Sequence, residues 1–251
     1  MIENPYPTAW QDLQEGVCKI FNEIGLKAEV GKLISTPRGN VEIDVYAIDE
    51  NSVDKIKYIV ECKNWATSIP QTVVHSFTTV MHETGGNIGF IISKEGLQSG
   101  AKEYTKNTNI AGLTHLEFQR KYFPVWFEKF FVSRIGDTVD ALTQYVEPIN
   151  SRRDRKIDQL SPEKQKQFSA LYDRYFKFGI SMAFFEFPRY SPEFAISTPE
   201  GIGELIKKLS ELGDEFSFKS IYFRELLEEI IDKVADVTKQ FHEIFGENIF
   251  A

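Results

Sequence analysis

Two acidic side chains and one lysine stand on neighbouring runs of alternating apolar and polar residues. The first run, residues 41–47, carries Asp44, and the second, residues 57–63, ends on Glu61 and Lys63. Side chains two apart on a strand share a face, so Glu61 and Lys63 point the same way. Carboxylates together with a substrate phosphate are the usual ligands of Mg²⁺ in proteins. These residue types therefore favour a magnesium site, provided that the two runs pair.

The acid-x-lysine spacing alone carries no information. It occurs twice, as Glu61-Cys62-Lys63 and as Asp154-Arg155-Lys156, which is no more than chance supplies in so charged a chain. The second copy lies in a charged run, where a solvated surface or linker is the ordinary interpretation. The first copy ends a strand that begins with apolar residues, and that context distinguishes it.

An antiparallel hairpin brings the two runs together. Its opposed pairs are Asp44 with Glu61, Tyr46 with Ile59 and Glu42 with Lys63. The turn then falls within residues 49–55, a polar stretch rich in turn residues. Opposed carboxylates lie about 5 Å apart and repel each other unless a cation sits between them. The alternative is an ordinary ion pair between Glu42 and Lys63, with both other acids exposed.

The elements that must position this hairpin indicate a mixed α/β fold in the first half of the chain. Apolar residues recur at helical spacing from Trp10 to Ile24, and Gly25 follows as a stop signal. The pattern also predicts helices over residues 71–83 and 97–107, a buried strand over 88–93 and a short last strand over 113–118. We therefore expect a central mixed sheet flanked by helices.

The second half has helical periodicity and many aromatic residues. The spacing predicts a long amphipathic helix over residues 226–245, with core packing, a homodimer interface or a partner-docking surface as alternatives. Residues 149–159 are polar and charged, which favours a linker; their arginines are either solvated or in contact with a DNA backbone. We expect two domains, residues 1–120 and a mainly helical domain over residues 121–251.

Composition excludes several classes of protein. The net charge of −8 argues against a broad basic surface that coats nucleic acid. Cys18 and Cys62 are too few for a disulfide framework, which favours a reducing cytoplasm. No run approaches the roughly 18 apolar residues of a membrane span, and the first residues lack the pattern of a signal peptide, so no membrane association is expected.

Residues 8 to about 118 resemble the Mrr-like branch of the PD-(D/E)xK restriction endonuclease superfamily. The matching blocks, in order, are residues 10–17 (WQDLQEGV) leading to Gly25, 39–46 (GNVEIDVY), 60–65 (VECKNW) and 89–96 (GFIISKEG) with Gly100-Ala101 beyond. Their order and spacing are far more specific than acid-x-lysine alone. The resemblance implies a restriction-endonuclease-like sheet and cleavage of DNA phosphodiester bonds with Mg²⁺, Mn²⁺ being a possible substitute.

The resemblance also assigns roles. Asp44 matches the metal-binding aspartate, Glu61 the second acid and Lys63 the catalytic lysine, and the main-chain carbonyl of Cys62 could add a metal ligand. Gln14 stands where the family often has a glutamate on its first helix. By helical geometry Gln14 borders the apolar face, whereas Glu15 points to nearly the opposite side. The site is thus one carboxylate short, which places the metal affinity in question.

Four further residues are candidates for contact with DNA: Glu42, Trp65, Gln71 and Ser93. For Trp65, packing in the core is the favoured alternative. Ser93 is more often a simple strand-end cap, and for Gln71 an exposed residue at a helix start is an equal alternative. The main hypothesis is an Mg-dependent endonuclease serving restriction or antiviral defence against foreign DNA. The second is a nuclease-fold module that binds DNA or protein and cuts weakly or not at all, as a subunit of a larger defence complex.

Overall fold

The computed structural model describes residues 1–187 and 194–251, which divide into two compact units. One unit is Asn4–Lys129, and the other joins Met1–Glu3 to Phe130–Ala251. The first is mixed α/β and the second is helical, so the expected fold class is confirmed. Among the described residues, no helix is both long enough and apolar enough to cross a bilayer.

The first unit alternates helices with the strands of one sheet. Its elements are α1 (Trp10–Glu23), β1 (Lys27–Thr36), β2 (Gly39–Ile48), β3 (Lys57–Lys63), α2 (Gln71–Thr84), β4 (Ile88–Ser93), α3 (Ser99–Thr105), β5 (Ile110–Thr114) and α4 (His115–Trp126). The periodicity therefore located α1, the β2–β3 hairpin, α2 and β4 correctly. The helix start expected at Gln71 is confirmed.

Within this unit the sheet has the strand order β1-β2-β3-β4-β5. The first three strands are antiparallel neighbours, whereas β3, β4 and β5 run parallel, joined by the crossover helices α2 and α3. In the β2–β3 hairpin Tyr46 pairs with Ile59, as the sequence predicts, and the ladder runs from Val45↔Val60 to Ile48↔Lys57. The turn lies where polar residues were expected, with the Asp49 N–H bonded to the Ile56 carbonyl at 2.9 Å.

Both faces of the sheet are covered. On one face, α2 and α3 bury an aliphatic cluster that includes Ile59, Val74, Phe77, Met81, Ile91 and Leu97. On the other face, rings from α1, β4 and α4 meet edge to face, with the centroids of Phe21 and Phe118 5.3 Å apart. Burying such side chains stabilises a fold by about 1.5–3 kcal/mol each. The sheet is thus fixed from both sides, and its edge at the ends of β3 and β4 can carry polar groups.

The strand predicted over residues 113–118 is wrong in most of its length. The strand β5 ends at Thr114, and α4 begins at His115. Thr114 caps that helix: its hydroxyl accepts the Glu117 N–H at 3.2 Å, and the Glu117 carboxylate accepts the Thr114 N–H at 2.7 Å. This reciprocal capping box turns the chain from strand to helix without a loop.

The second unit is built from α-helices. They are α5 (Ser133–Val146), α6 (Ser151–Ile157), α7 (Pro162–Ala183), α8 (Ile202–Ser210) and α9 (Phe223–Phe245). The apolar side chains of α9 are buried within its own unit, against α5 and α7. Residues 1 and 2 pair with the start of this helix, since the N–H groups of Phe223 and Arg224 donate to the carbonyls of Met1 and Ile2, each at 2.9 Å.

The linker predicted over residues 149–159 is contradicted, because most of it forms α6. The Asn150 side chain caps this helix by accepting the N–H groups of Arg152 and Arg153. The Arg153 guanidinium is buried and donates to the carbonyls of Tyr145 and Glu147. Part of the basic cluster is therefore structural, because Arg153 satisfies main-chain oxygens inside the unit.

The close contact between β4 and α2 gives a test of this packing. A Cβ added at Gly89 would lie 2.8 Å from both the Met81 sulfur and a Phe77 ring carbon. We expect Gly89→Ala to lower the free energy of unfolding by about 1–3 kcal/mol through overpacking. Urea unfolding measures the change. Gly100→Ala is the control, because its new methyl group meets only the Gln71 side chain; an equal loss there would contradict the packing argument.

Candidate active site

The ladder between β2 and β3 stops one pair before the two acids. Its last pair is Val45↔Val60, and beyond it the Oδ2 atom of Asp44 accepts the main-chain N–H of Cys62 at 2.7 Å. A side chain thus takes the place of a backbone partner. The N–H and C=O of one strand residue point to the same side. The Cys62 carbonyl therefore points toward β2 as well, past the end of the ladder.

Two clefts adjoin this point. The first, the Asp44 cleft, has a volume of ≈ 410 Å³ and is lined by Thr8, Ala9, Trp10, Gln14, Asp44, Cys62, Lys63, Asn64 and Trp65. The second, the Glu61 cleft, has a volume of ≈ 300 Å³ and is lined by Glu61, Lys63, Thr72, Val73, Ser76, Phe77 and Val80. Lys63 lines both, so the two predicted acids lie on either side of the predicted lysine.

The charges at this point are strongly coupled. Lys63 forms an ion pair with Glu61, and both side chains are about three-quarters buried. Burial raises the pKa of Glu61, and the neighbouring charge of Asp44 raises it further, although the Lys63 hydrogen bond opposes both. Burial lowers the pKa of Lys63, but the bond and charge of Glu61 outweigh it and leave that pKa above its ordinary value. Lys63 is therefore a cation and a hydrogen-bond donor at neutral pH.

The side chain of Cys62 contributes no reactive group. It is buried, and burial, followed by the charges of Asp44 and Glu61, holds the pKa of its thiol well above the ordinary range. A neutral buried thiol is a poor nucleophile. The main-chain atoms of Cys62 face the site instead.

Helix α1 supplies the wall of the Asp44 cleft opposite β2. Gln14 is buried and lines this cleft, whereas Glu15 is exposed. The helical geometry predicted both placements. A neutral amide therefore stands near Asp44 where a carboxylate would add a third negative charge.

The hypothesised pairing of Glu42 with Lys63 is contradicted. Glu42 is exposed and pairs with Leu33 of β1, while Lys63 is bonded to Glu61. The ladder that would have aligned Glu42 with Lys63 ends before reaching them. The two acids consequently do not face each other as a regular cross-strand pair.

The other candidates are spread along the same edge of the sheet. Trp65 is 44% exposed and lines the Asp44 cleft, so its expected core packing is wrong. Ser93 has no exposed surface, and its buried hydroxyl finds no hydrogen-bond partner among the residues that the structure describes. Its contact with DNA stays a prediction. Gln71 is exposed at the start of α2, beside His75 at 3.2 Å, and lines neither cleft.

Sequence reasoning missed four residues that line the cleft, Thr8, Ala9, Trp10 and Asn64. Trp10, assigned to an apolar helix face, is 54% exposed and lines the Asp44 cleft. Asn64 donates to the Thr8 carbonyl at 3.1 Å and so ties the chain after Lys63 to the segment before α1. Its position directly after Glu-x-Lys was the available signal.

The donors fit a hard cation with few protein ligands. Within residues 1–187 and 194–251, no group of three or more His, Cys, Asp and Glu side chains is placed to hold a metal. Two carboxylates and a main-chain carbonyl are nevertheless oxygen donors, and Mg²⁺ usually takes only one or two carboxylates, with water and substrate phosphate completing its shell. Asp44, Glu61 and the Cys62 carbonyl could supply such a set.

Comparison with known proteins gives one informative match. Residues 7–120 match the family model Mrr_cat, described as a restriction endonuclease. None of the curated proteins matches this chain. A crystal structure described as a protein of unknown function, AF1548, aligns over 92% of this chain and 98% of its own, at 12% identity and a TM-score of 0.36. That score is too low to equate the two folds.

The coupling of the charges predicts opposite shifts in two variants. In metal-free protein, Asp44→Asn removes a neighbouring negative charge and keeps an acceptor for the Cys62 N–H, so the pKa of Glu61 should fall. Lys63→Met removes the stabilising cation, so that pKa should rise. Carboxyl-carbon NMR titration of Glu61 measures both. Shifts of the same sign in the two variants would show that the three groups are not coupled.

Proposed function

We propose that this chain is an endonuclease that hydrolyses DNA phosphodiester bonds with a divalent cation, since residues 7–120 match the family model described as a restriction endonuclease. Mg²⁺ is the expected ion, and Mn²⁺ a substitute. The observation that carries the proposal is the meeting of Asp44, the main chain of Cys62 and Lys63 at the end of the β2–β3 ladder. This is the part of the domain that also contains Glu61.

The proposed roles follow from the chemistry of the groups. Asp44, Glu61 and the Cys62 carbonyl would hold the cation. When bound, it would polarise the phosphate and lower the pKa of a coordinated water. The raised pKa of Lys63 means that it cannot act as a base at neutral pH. Its ammonium would instead donate to phosphate oxygens and stabilise the negative charge that develops on them.

Gln14 would contribute a hydrogen bond to a water molecule and would add no charge to the site. Its amide borders the Asp44 cleft and can hydrogen-bond a water there. Without a third carboxylate the site holds less negative charge, so its cation affinity would be weak and would depend on the substrate phosphate. Catalysis would therefore need more cation than a site with three carboxylates requires.

A second function has two specific observations in its favour. The neutral Gln14 and the net charge of −8 also fit a nuclease-fold module that binds DNA or protein and cuts poorly. In either case restriction or antiviral defence in the cytoplasm is the proposed setting. A homodimer or a partner protein docked on the helical unit is part of this proposal. The apolar face of α9 is already buried, so such a contact would use another surface.

Plasmid cleavage separates the two functions. Purified protein with Mg²⁺ or Mn²⁺ should convert supercoiled plasmid to nicked and linear forms, and a chelator should abolish this. Asp44→Asn and Lys63→Ala should each lower the rate about 100-fold or more, because each removes a group that meets the reacting phosphate or its cation.

The second acid-x-lysine copy provides the matched control. Lys156 forms an exposed ion pair with Glu247, which contributes little to stability. Lys156→Ala should therefore cut at the rate of the unaltered protein. Cleavage that does not depend on metal, or that is equally fast in the Lys63→Ala and unaltered proteins, would contradict the endonuclease assignment. The binding module would then be the better interpretation.

Restoring the third carboxylate tests the role of Gln14. Gln14→Glu adds negative charge beside Asp44, so the Mg²⁺ concentration for half-maximal cleavage should fall several-fold. Calorimetric titration of Mn²⁺ should show tighter binding. Glu15→Gln, on the exposed side of the same helix, is the control and should change neither value. A Gln14→Glu variant with unaltered metal dependence would mean that Gln14 does not reach the cation.

A further inference from the structure

The aromatic lining of the Asp44 cleft points to the class of DNA that it accepts. We propose that Trp10 and Trp65 stack on unpaired bases, so that the preferred substrate is DNA whose bases are unpaired beside the scissile phosphate. Single strands, flaps and frayed ends have this property. The inference rests on the proposed nuclease function and names its substrate class.

The exposure of these two rings is the first observation. The chain has three tryptophans. Trp126 is completely buried, whereas Trp10 is 54% exposed and Trp65 44% exposed. Leaving a large apolar ring in water forgoes the stabilisation that its burial would give. Both exposed rings line the same cleft as Asp44 and Lys63, so their surface is available where the reacting phosphate would lie.

The second observation is that the segments carrying the two rings are tied to each other. Trp65 follows Asn64, whose amide donates to the Thr8 carbonyl at 3.1 Å. On the other side, Asp12 accepts the N–H of Ala9 at 3.1 Å and the hydroxyl of Thr8 at 3.3 Å. These bonds hold the residue before Trp65 against the residues just before Trp10. The segments that carry the two rings are thus linked, which limits how far the rings can move apart and favours their acting on one substrate strand.

The third observation is the scarcity of positive charge. Among the residues that line the Asp44 cleft, all of which the structure describes, Lys63 is the one cation, and it is paired with Glu61. Proteins that hold duplex DNA by its backbone rely on several lysines and arginines. This cleft lacks that means of attachment, whereas stacking on aromatic rings requires no charge.

Stacking selects the substrate by accessibility. In a duplex each base is covered above and below by its neighbours, so a tryptophan face can reach only a base that is unpaired, extruded or terminal. The cleft volume of ≈ 410 Å³ lies within the range of about 300–1,000 Å³ typical of ligand clefts. It therefore has room for an extruded base with its phosphate.

A binding experiment without cleavage tests the proposal. Full-length Lys63→Ala protein in chelator is titrated with a single-stranded oligodeoxynucleotide and with the same sequence as a blunt duplex, and tryptophan fluorescence is recorded. The single strand should quench the fluorescence and bind roughly tenfold or more tightly than the duplex. Equal affinity for the two forms, or binding without quenching, would overturn the proposal.

Variants then assign the effect to the rings. In the same background Trp10→Ala and Trp65→Ala should each weaken single-strand binding several-fold to about 100-fold, whereas Trp10→Phe and Trp65→Phe should retain most of it. Leu33→Ala removes an equally exposed apolar side chain of β1, outside the cleft, and should change nothing. Thermal unfolding identifies any variant that is misfolded. Unchanged affinity in both folded alanine variants counts against the proposal.

Cleavage distinguishes this inference from the function on which it rests. If the protein with Lys63 intact cuts plasmid with metal but prefers duplex to single strand, the substrate class is wrong and the nuclease stands. If it cuts nothing yet binds single strands through the two tryptophans, the aromatic site stands and the nuclease function fails. Faster cutting of a single strand, slowed by Trp65→Ala, supports both.

Discussion

The N–H of Cys62 donates to a carboxylate instead of to a backbone carbonyl of β2. A buried peptide N–H without an acceptor costs about 1–3 kcal/mol. Asp44 is therefore held in position because its carboxylate supplies the acceptor for the Cys62 N–H. The same bond keeps β2 from continuing its ladder, which leaves the Cys62 carbonyl directed at open space. The position of Asp44, the end of the ladder and the availability of the Cys62 carbonyl are therefore all linked to this one hydrogen bond.

The charges around that bond are arranged at the expense of stability. Glu61 is largely buried near the charge of Asp44, and Lys63 is its compensating partner. A buried acid near a second acid is unfavourable unless a cation lies close. The apolar and aromatic layers on the two faces of the sheet supply stabilising burial away from these charges. Stability and chemistry therefore reside in different parts of the first unit.

Sequence patterns predicted what depends on periodicity. The pairing of Tyr46 with Ile59 followed from strand alternation once Asp44 was placed opposite Glu61, and the helical repeat distinguished Gln14 from the exposed Glu15. The point at which the ladder ends could not be predicted in this way. It depends on the Asp44 side chain competing with a backbone carbonyl for the Cys62 N–H, and such competition produces no repeating pattern in the sequence. The prediction that Trp65 packs in the core was wrong. Large aromatic side chains are buried on average, and Trp65 is an exception because it lines an open cleft. The strand expected through residues 113–118 overlooked the capping box at Thr114 and Glu117, which was readable.

The pairing of Met1 and Ile2 with the start of α9 has a consequence for the order of folding. The helical unit consists of two pieces of chain separated by the whole of the other unit. As the chain emerges from the ribosome, the first residues find their partners only after more than two hundred others have been added. The first unit is continuous in sequence, so it can fold before that pairing forms. A truncation before α9 would therefore also remove the two N–H donors that the Met1 and Ile2 carbonyls accept.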